Sequence, residues 1–283
     1  MHSVGLTENY VVLVEFPYRF SMGRMLSSQL RYLCSGNKPE ALDSMYRWRP
    51  ELGTTFTLVH RKTGEVKGQW PAPAFFSYHH LNAWEEEDEL VCDMMCYDKI
   101  FYSDFKLAQL REHGGPRRTA RGDELRRYRV PLNKPGKAVE HTVLASRLVE
   151  LPSWDPRRQG KPYSVAYGIG APHGEAEEAE LRGKVTNLLV KADLDGGEHK
   201  TWHEERCSPG EPVFVPRPGG AEDEGVVLSE LYDNQQRCSF LLVLDARTFC
   251  ELARARLPHA VPAGLHGAWW TPTDLAMGEG QGV

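Results

Sequence analysis

Apolar residues fall in short runs separated by turn-forming residues, the spacing of strands more than of helices. Residues 10–16 (Tyr-Val-Val-Leu-Val-Glu-Phe) form one such run, closed by Pro17. Residues 54–61 predict a strand, Lys62-Thr63-Gly64-Glu65 a hairpin turn, and 66–70 its partner. Strands at 75–84 and 90–97 flank the acidic turn Glu85-Glu86-Glu87-Asp88. Further strands are expected at 125–132, 142–149, 163–169, 184–192, 225–232 and 239–244. Repeated short strands with turns between them imply an all-β sandwich, barrel or propeller. No repeated motif selects among the three.

Two segments break the pattern. Met22, Met25, Leu26, Leu30 and Leu33 share one helical face, with Arg24, Ser28 and Arg31 elsewhere, so 21–33 predicts an amphipathic helix. Its apolar face suits either a core or a membrane surface. A short second helix is expected at 246–254, and exposed loops at 113–123 and 217–224.

The 283 residues are 41% hydrophobic, enough for a sizeable core in one large domain or two small ones. A net charge of −5 and a pI near 6.1 argue against a nucleic-acid partner. No apolar run is long enough to span a bilayer, and the start carries no secretory signal. Cys34, Cys92, Cys96, Cys207, Cys238 and Cys250 contain no CxxC. Cys92 and Cys96 on one strand would stand roughly 13 Å apart, too far to share a metal. All six read as reduced thiols of a cytoplasmic protein.

Of the eleven histidines, His2, His79, His80 and His266 have apolar flanks. None has compact HxH or HxxxH spacing, and each taken alone reads as a hydrogen-bonded structural residue before a ligand. On a strand, His79 and His80 would face opposite ways, so at most one looks into a central site. Glu150 and Glu211 stand beside apolar runs, where a charge must be paired. Exposure at a strand end is the alternative for both.

Several segments, in order, resemble the carotenoid cleavage oxygenase family, which includes the retinoid isomerase of the retinal pigment epithelium. Residues 2–12 resemble its H-[SD]-x-x-x-T-x-N-Y-V-V motif, and 79–85 its H-x-x-N-A-[WYF]-E motif. Glu150-Leu-Pro followed by Gly160-Lys-Pro-Tyr163 resembles E-[FL]-P with G-[KR]-x-Y. Residues 211–229 and 244–267 resemble the two closing motifs. The resemblance implies a seven-bladed β-propeller with four histidines holding Fe(II) on its axis. His2, His79 and His266 match the second, third and fourth of these. His79 rather than His80 fits, because the liganding residue stands three before the Asn, here Asn82. Glu150 and Glu211 match carboxylates that accept the ring N–H of the third and fourth histidines, here His79 and His266.

The implied activity is cleavage of a carotenoid or apocarotenoid double bond with O2, by a dioxygenase in peripheral contact with a membrane. Neutral imidazoles suit iron and leave positions for oxygen. Nearby carboxylates fix the tautomers and supply part of the missing negative charge. A dry tunnel would admit a polyene and exclude water.

The family's first histidine and its glutamate lie upstream of the first matched motif. The expectation is therefore an N-terminally truncated propeller, a single domain over 1–283 short of about two blades and inactive by itself. The competing expectation is a non-catalytic propeller remnant or binding module, against which the retention of His2, His79, His266, Glu150 and Glu211 argues. A zinc hydrolase is the weakest fit, since no HExxH pattern occurs.

Overall fold

A strand with one face buried alternates apolar and polar positions, and the pattern at Tyr10–Glu15 is met in the structure by burial of Val12 and Val14. The computed structural model describes residues 2–36, 45–100, 123–174, 188–262 and 264–270. The expected loop at 113–123 lies outside these except for Asp123, as do residues 184–187 of the expected strand 184–192. The chain divides into two compact units, residues 1–146 with 159–161, and residues 147–158 with 162–283.

In the first unit the elements run β1 (Gly5–Leu6), β2 (Tyr10–Glu15), β3 (Tyr18–Phe20), α1 (Met22–Ser35), β4 (Tyr46–Trp48), β5 (Thr54–His60), β6 (Val66–Ala72), β7 (His80–Glu86), β8 (Glu89–Cys96), β9 (Glu124–Pro131) and β10 (Glu140–Ala145). They make two four-stranded antiparallel sheets, ordered β1-β2-β5-β6 and β10-β9-β8-β7, with β3 and β4 as a separate ribbon. Val12, Phe56, Leu58 and Trp70 of the first sheet pack with Leu90, Met94, Tyr128 and Val130 of the second. Phe75 stacks on Tyr128 at 4.9 Å, and Trp70 Nε1 donates to the Pro131 carbonyl at 2.9 Å. Each such fully buried side chain contributes about 1.5–3 kcal/mol. The fully buried Asp93 accepts two 2.9 Å hydrogen bonds from Arg127, whose guanidinium lies 4.9 Å over Trp84.

The second unit repeats the arrangement. The strands β11 (Glu150–Ser153), β12 (Val165–Gly170), β13 (Leu188–Asp193) and β14 (Lys200–Trp202) form one antiparallel sheet in chain order. A second follows as β15 (Cys207–Pro216), β16 (Gly225–Asp233), β17 (Cys238–Asp245) and β18 (Glu251–Arg256). Tyr167, Leu189, Phe214, Val227, Leu242 and Leu244 share its core. Gly168 is required where β11 crosses β12, because a Cβ there would lie 2.7 Å from Val149 and 2.9 Å from the Glu150 carbonyl.

Several expectations need correction. No helix forms at 246–254. Asp245 Oδ1 accepts from the Thr248 backbone at 2.6 Å and hydroxyl at 2.8 Å, making a turn that reverses the chain. β18 then pairs with β17 from Phe240↔Arg256 to Leu244↔Glu251. Its Glu, Leu, Ala and Arg favour helix intrinsically, but pairing along β17 overrides propensity. The strand expected at 75–84 begins only at His80, since Phe75, Phe76 and Ser77 are buried in succession and pair only through a Phe76–Tyr97 bridge. The strand expected at 142–149 ends at Ala145, so Glu150 opens β11 instead of closing that run.

Helix α1 is capped by the Ser21 side chain and by Gly36 in the left-handed region. Its apolar stripe is not packed away: Leu26, Leu30 and Leu33 are 60%, 63% and 77% exposed. No described helix is long and apolar enough to cross a membrane.

One contact ties the two sheets of the first unit at their chain starts. Glu85 accepts from the Thr7 hydroxyl at 2.5 Å, the Asn9 backbone at 2.8 Å and the Asn9 amide at 3.0 Å. Burial pushes the Glu85 carboxyl up, but these bonds outweigh it and hold it below its ordinary value. The stabilisation is therefore complete above the ordinary carboxylate pKa of about 4.3 and is lost as pH falls through the lower folded value. Chemical denaturation of wild type and Glu85→Gln should show a stability gap that narrows as pH falls below the ordinary carboxylate pKa of about 4.3. A gap independent of pH would contradict this.

Candidate metal centre

The histidines of the first unit lie where the N-terminal segment meets the start of β7. His79 is the residue before that strand, half-buried, and His80 is its first residue, 7% exposed. The His79 carbonyl accepts from the Met95 backbone of β8 at 3.1 Å, so backbone pairing reaches His79 as well. The two rings lie in different surroundings. The His79 ring stands edge-on to His2 with centroids 5.0 Å apart, and His2 is also edge-on to Tyr78 at 5.9 Å. His80 packs on Gly5, where a Cβ would come within 3.3 Å of its ring and 3.1 Å of Val12. Its Nδ1 meets the Ser3 hydroxyl at 2.9 Å, and its buried Nε2 has no hydrogen-bond partner among the described residues. Burial, and then the neighbouring charge of His79, push the His80 pKa down to about 3, so the ring is neutral near pH 7.

Asn82 is buried in β7. Its Oδ1 accepts from the Gly160 backbone at 3.0 Å, and its Nδ2 donates to the Lys161 carbonyl at 3.0 Å. The two motif segments 79–85 and 160–163 are thus joined through Asn82.

In the second unit, β15 slips register against β16 between Pro209 and Pro212. Glu211 sits at this bulge, which re-aims its side chain. The carboxylate is 13% exposed, and its Oε1 lies 2.9 Å from His266 Nδ1. Its Oε2 accepts from the Gly267 backbone. The strand-end exposure considered for Glu211 is thus not what the fold provides. Val213, Leu228, Leu241 and Trp269 join Glu211 and His266 around a cavity of about 260 Å³. Glu150 is 9% exposed, and its Oε2 accepts from the Leu151 backbone at 3.2 Å.

The structure thus brings His2 to His79 and Glu211 to His266. These donors fit a divalent first-row metal: imidazoles are ligands such ions prefer, and a carboxylate on Nδ1 would leave Nε2 of His266 free for one. The roles of Ser3, Thr7 and Asn9 are not read from residue type alone. Their signal is their place in the quoted motif, at fixed offsets from His2.

The model of the retinal pigment epithelial membrane protein family matches residues 1–271. Carotenoid cleavage dioxygenase 8 homolog A, chloroplastic, of Oryza sativa subsp. japonica is 32% identical, over 97% of this chain and 48% of that protein. The mitochondrial carotenoid-cleaving dioxygenase of Homo sapiens is 29% identical, over 95% of this chain and 50% of that one. The chain spans about half the length of the curated relatives it matches. Among solved structures, cobalt-substituted Synechocystis ACO superposes with a TM-score of 0.74 at 27% identity, covering 95% of this chain and 52% of that chain.

Since the Gly267 amide donates to Glu211, Glu211→Ala should speed its hydrogen exchange about tenfold, as a protecting bond is lost. Glu211→Gln should retain part of the protection. Unchanged exchange in Glu211→Ala would show that the contact does not order this segment.

Proposed function

This chain belongs to the retinal pigment epithelial membrane protein family, and we propose that it is an Fe(II)-dependent dioxygenase cleaving a double bond of a carotenoid or apocarotenoid to aldehyde or ketone products. The observation that carries the reading is the pairing of donors: His2 ring to ring with His79, and His266 bonded to Glu211. We assign His2, His79 and His266 as metal ligands. Glu150 and Glu211 accept ring N–H groups, Glu150 from His79 and Glu211 from His266, without ligating. The four antiparallel meanders are read as blades of a seven-bladed β-propeller. A cobalt-substituted form of a related protein supports a divalent metal site in this fold.

The residues divide the work by chemistry. The imidazoles bind as neutral donors, and Glu211 holds the His266 proton on Nδ1, keeping Nε2 for the metal. Val213, Leu228, Leu241 and Trp269 beside His266 offer an apolar wall for a hydrocarbon chain. Iron supplies the chemistry that amino acids lack, activation of O2 toward a conjugated double bond. The exposed stripe of α1 is assigned to peripheral contact with a membrane, from which an insoluble polyene would be drawn.

Three measurements test these assignments. The whole protein, with Fe(II), O2 and a carotenoid, should bleach polyene absorbance and form carbonyl products; intact substrate would refute the activity. With metal in excess, His79→Ala should lose iron by elemental analysis while His80→Ala keeps most of it, and the reverse would refute the ligand choice. Leu26→Glu should reduce co-sedimentation with liposomes, whereas unchanged binding would remove α1 from the membrane contact.

A further inference from the structure

Ser3 and His80 are outside the donor set, yet they join the two chain segments that carry His2 and His79. A serine hydroxyl has one hydrogen to give and two lone pairs to receive with. The Ser3 hydroxyl donates to the Tyr78 carbonyl at 2.8 Å. It accepts the His80 backbone N–H at 2.9 Å, and His80 Nδ1 lies 2.9 Å away. With its hydrogen committed to Tyr78, Ser3 can only accept from the ring, so His80 Nδ1 carries the proton. That tautomer is assigned from the bonding network. The hydroxyl is then saturated, and all its partners flank His79.

The clamp is also rigid. His80 is buried, and its ring lies over Gly5, the residue whose lack of a Cβ makes room for it. Val12 of β2 bounds the same space, 3.1 Å from where a Gly5 Cβ would lie. The N-terminal segment is therefore fixed at Ser3 by hydrogen bonds and at Gly5 by packing, one residue and three residues beyond His2.

We propose that His80 is a positioning residue of the metal centre, which through Ser3 locks the chain at His2 against the chain at His79 before a metal binds. The inference rests on the metal-centre reading above and deepens it. Its physical content is preorganisation. A ligand on an unanchored segment must be ordered by the metal itself, and that ordering is subtracted from affinity. A ligand already held in place leaves the affinity intact.

The test is a Co(II) titration of the metal-free whole protein, followed by visible absorption, with amide hydrogen exchange on the metal-free form. Ser3→Ala should raise the Co(II) dissociation constant about tenfold, the lower end for loss of a ligand-orienting partner. It should also shift the visible bands of bound cobalt and speed exchange of the amides at residues 3–6. Ser3→Thr, which keeps the hydroxyl, should behave close to wild type in all three. His80→Gln removes the ring while sparing the backbone N–H. It should move affinity and bands in the same direction, and it serves if Ser3→Ala does not fold. A lower melting temperature in these variants, with unchanged affinity and bands, would make the clamp merely structural and overturn the proposal. His79→Ala, run in parallel, separates the two claims. Loss of cobalt there with Ser3→Ala unaffected overturns the positioning role alone. Retention of cobalt at wild-type affinity overturns the metal-centre reading and the positioning role together.

Discussion

A single hydroxyl, that of Ser3, joins the backbone of Tyr78, the backbone of His80 and the His80 ring. Around it the N-terminal segment and the approach to β7 become one piece of structure. That joint fixes the segment carrying His2 against the segment before β7 that carries His79. The Glu85 bonds to Thr7 and Asn9 repeat the connection at the other end of β7. The segment is thus tied at both ends, which is how a short, two-residue β1 keeps its place beside β2.

The second unit reaches a comparable end by a different device. Its histidine lies on an irregular segment after β18, and a β-bulge turns the Glu211 carboxylate to meet it. The same carboxylate holds the Gly267 backbone, so one charged side chain sets both the tautomer of His266 and the path of the chain beyond it. The first unit orders its histidines by neutral contacts and the second by a carboxylate. In the proposed site, neutral imidazoles alone would leave a divalent charge uncompensated, and a carboxylate at one remove would supply compensation without occupying a coordination position.

Long strands with regular alternation were legible from sequence: β2, β5, β8, β9, β16 and β17 lie within a residue or two of expectation. The shortest strands, β1, β3, β4 and β14, carry too few residues for a period to register. β15 lies outside the expected strands; Pro209, Gly210 and Pro212 interrupt its alternation and bracket the bulge that aims Glu211. β18 misled because its composition is helical and only its partner makes it a strand. Residue type also marked the histidines and glutamates without pairing them, since tautomer and contact depend on residues far apart in sequence. The preference for His79 over His80 rests on motif register and strand alternation. The distinction the fold makes is that His80 is enclosed by Ser3 and Gly5, while His79 faces His2.

The central claim is that His2, His79 and His266 hold one iron while the carboxylates stand behind them. Anomalous diffraction at the iron edge, from crystals of the iron-loaded whole protein, tests it most directly. The account predicts one peak within bonding distance of a ring nitrogen of each of the three histidines, that of His266 being Nε2, with Glu211 still on Nδ1. A peak bonded to Glu150, Glu211 or His80, or one that leaves out any of the three histidines, would contradict it.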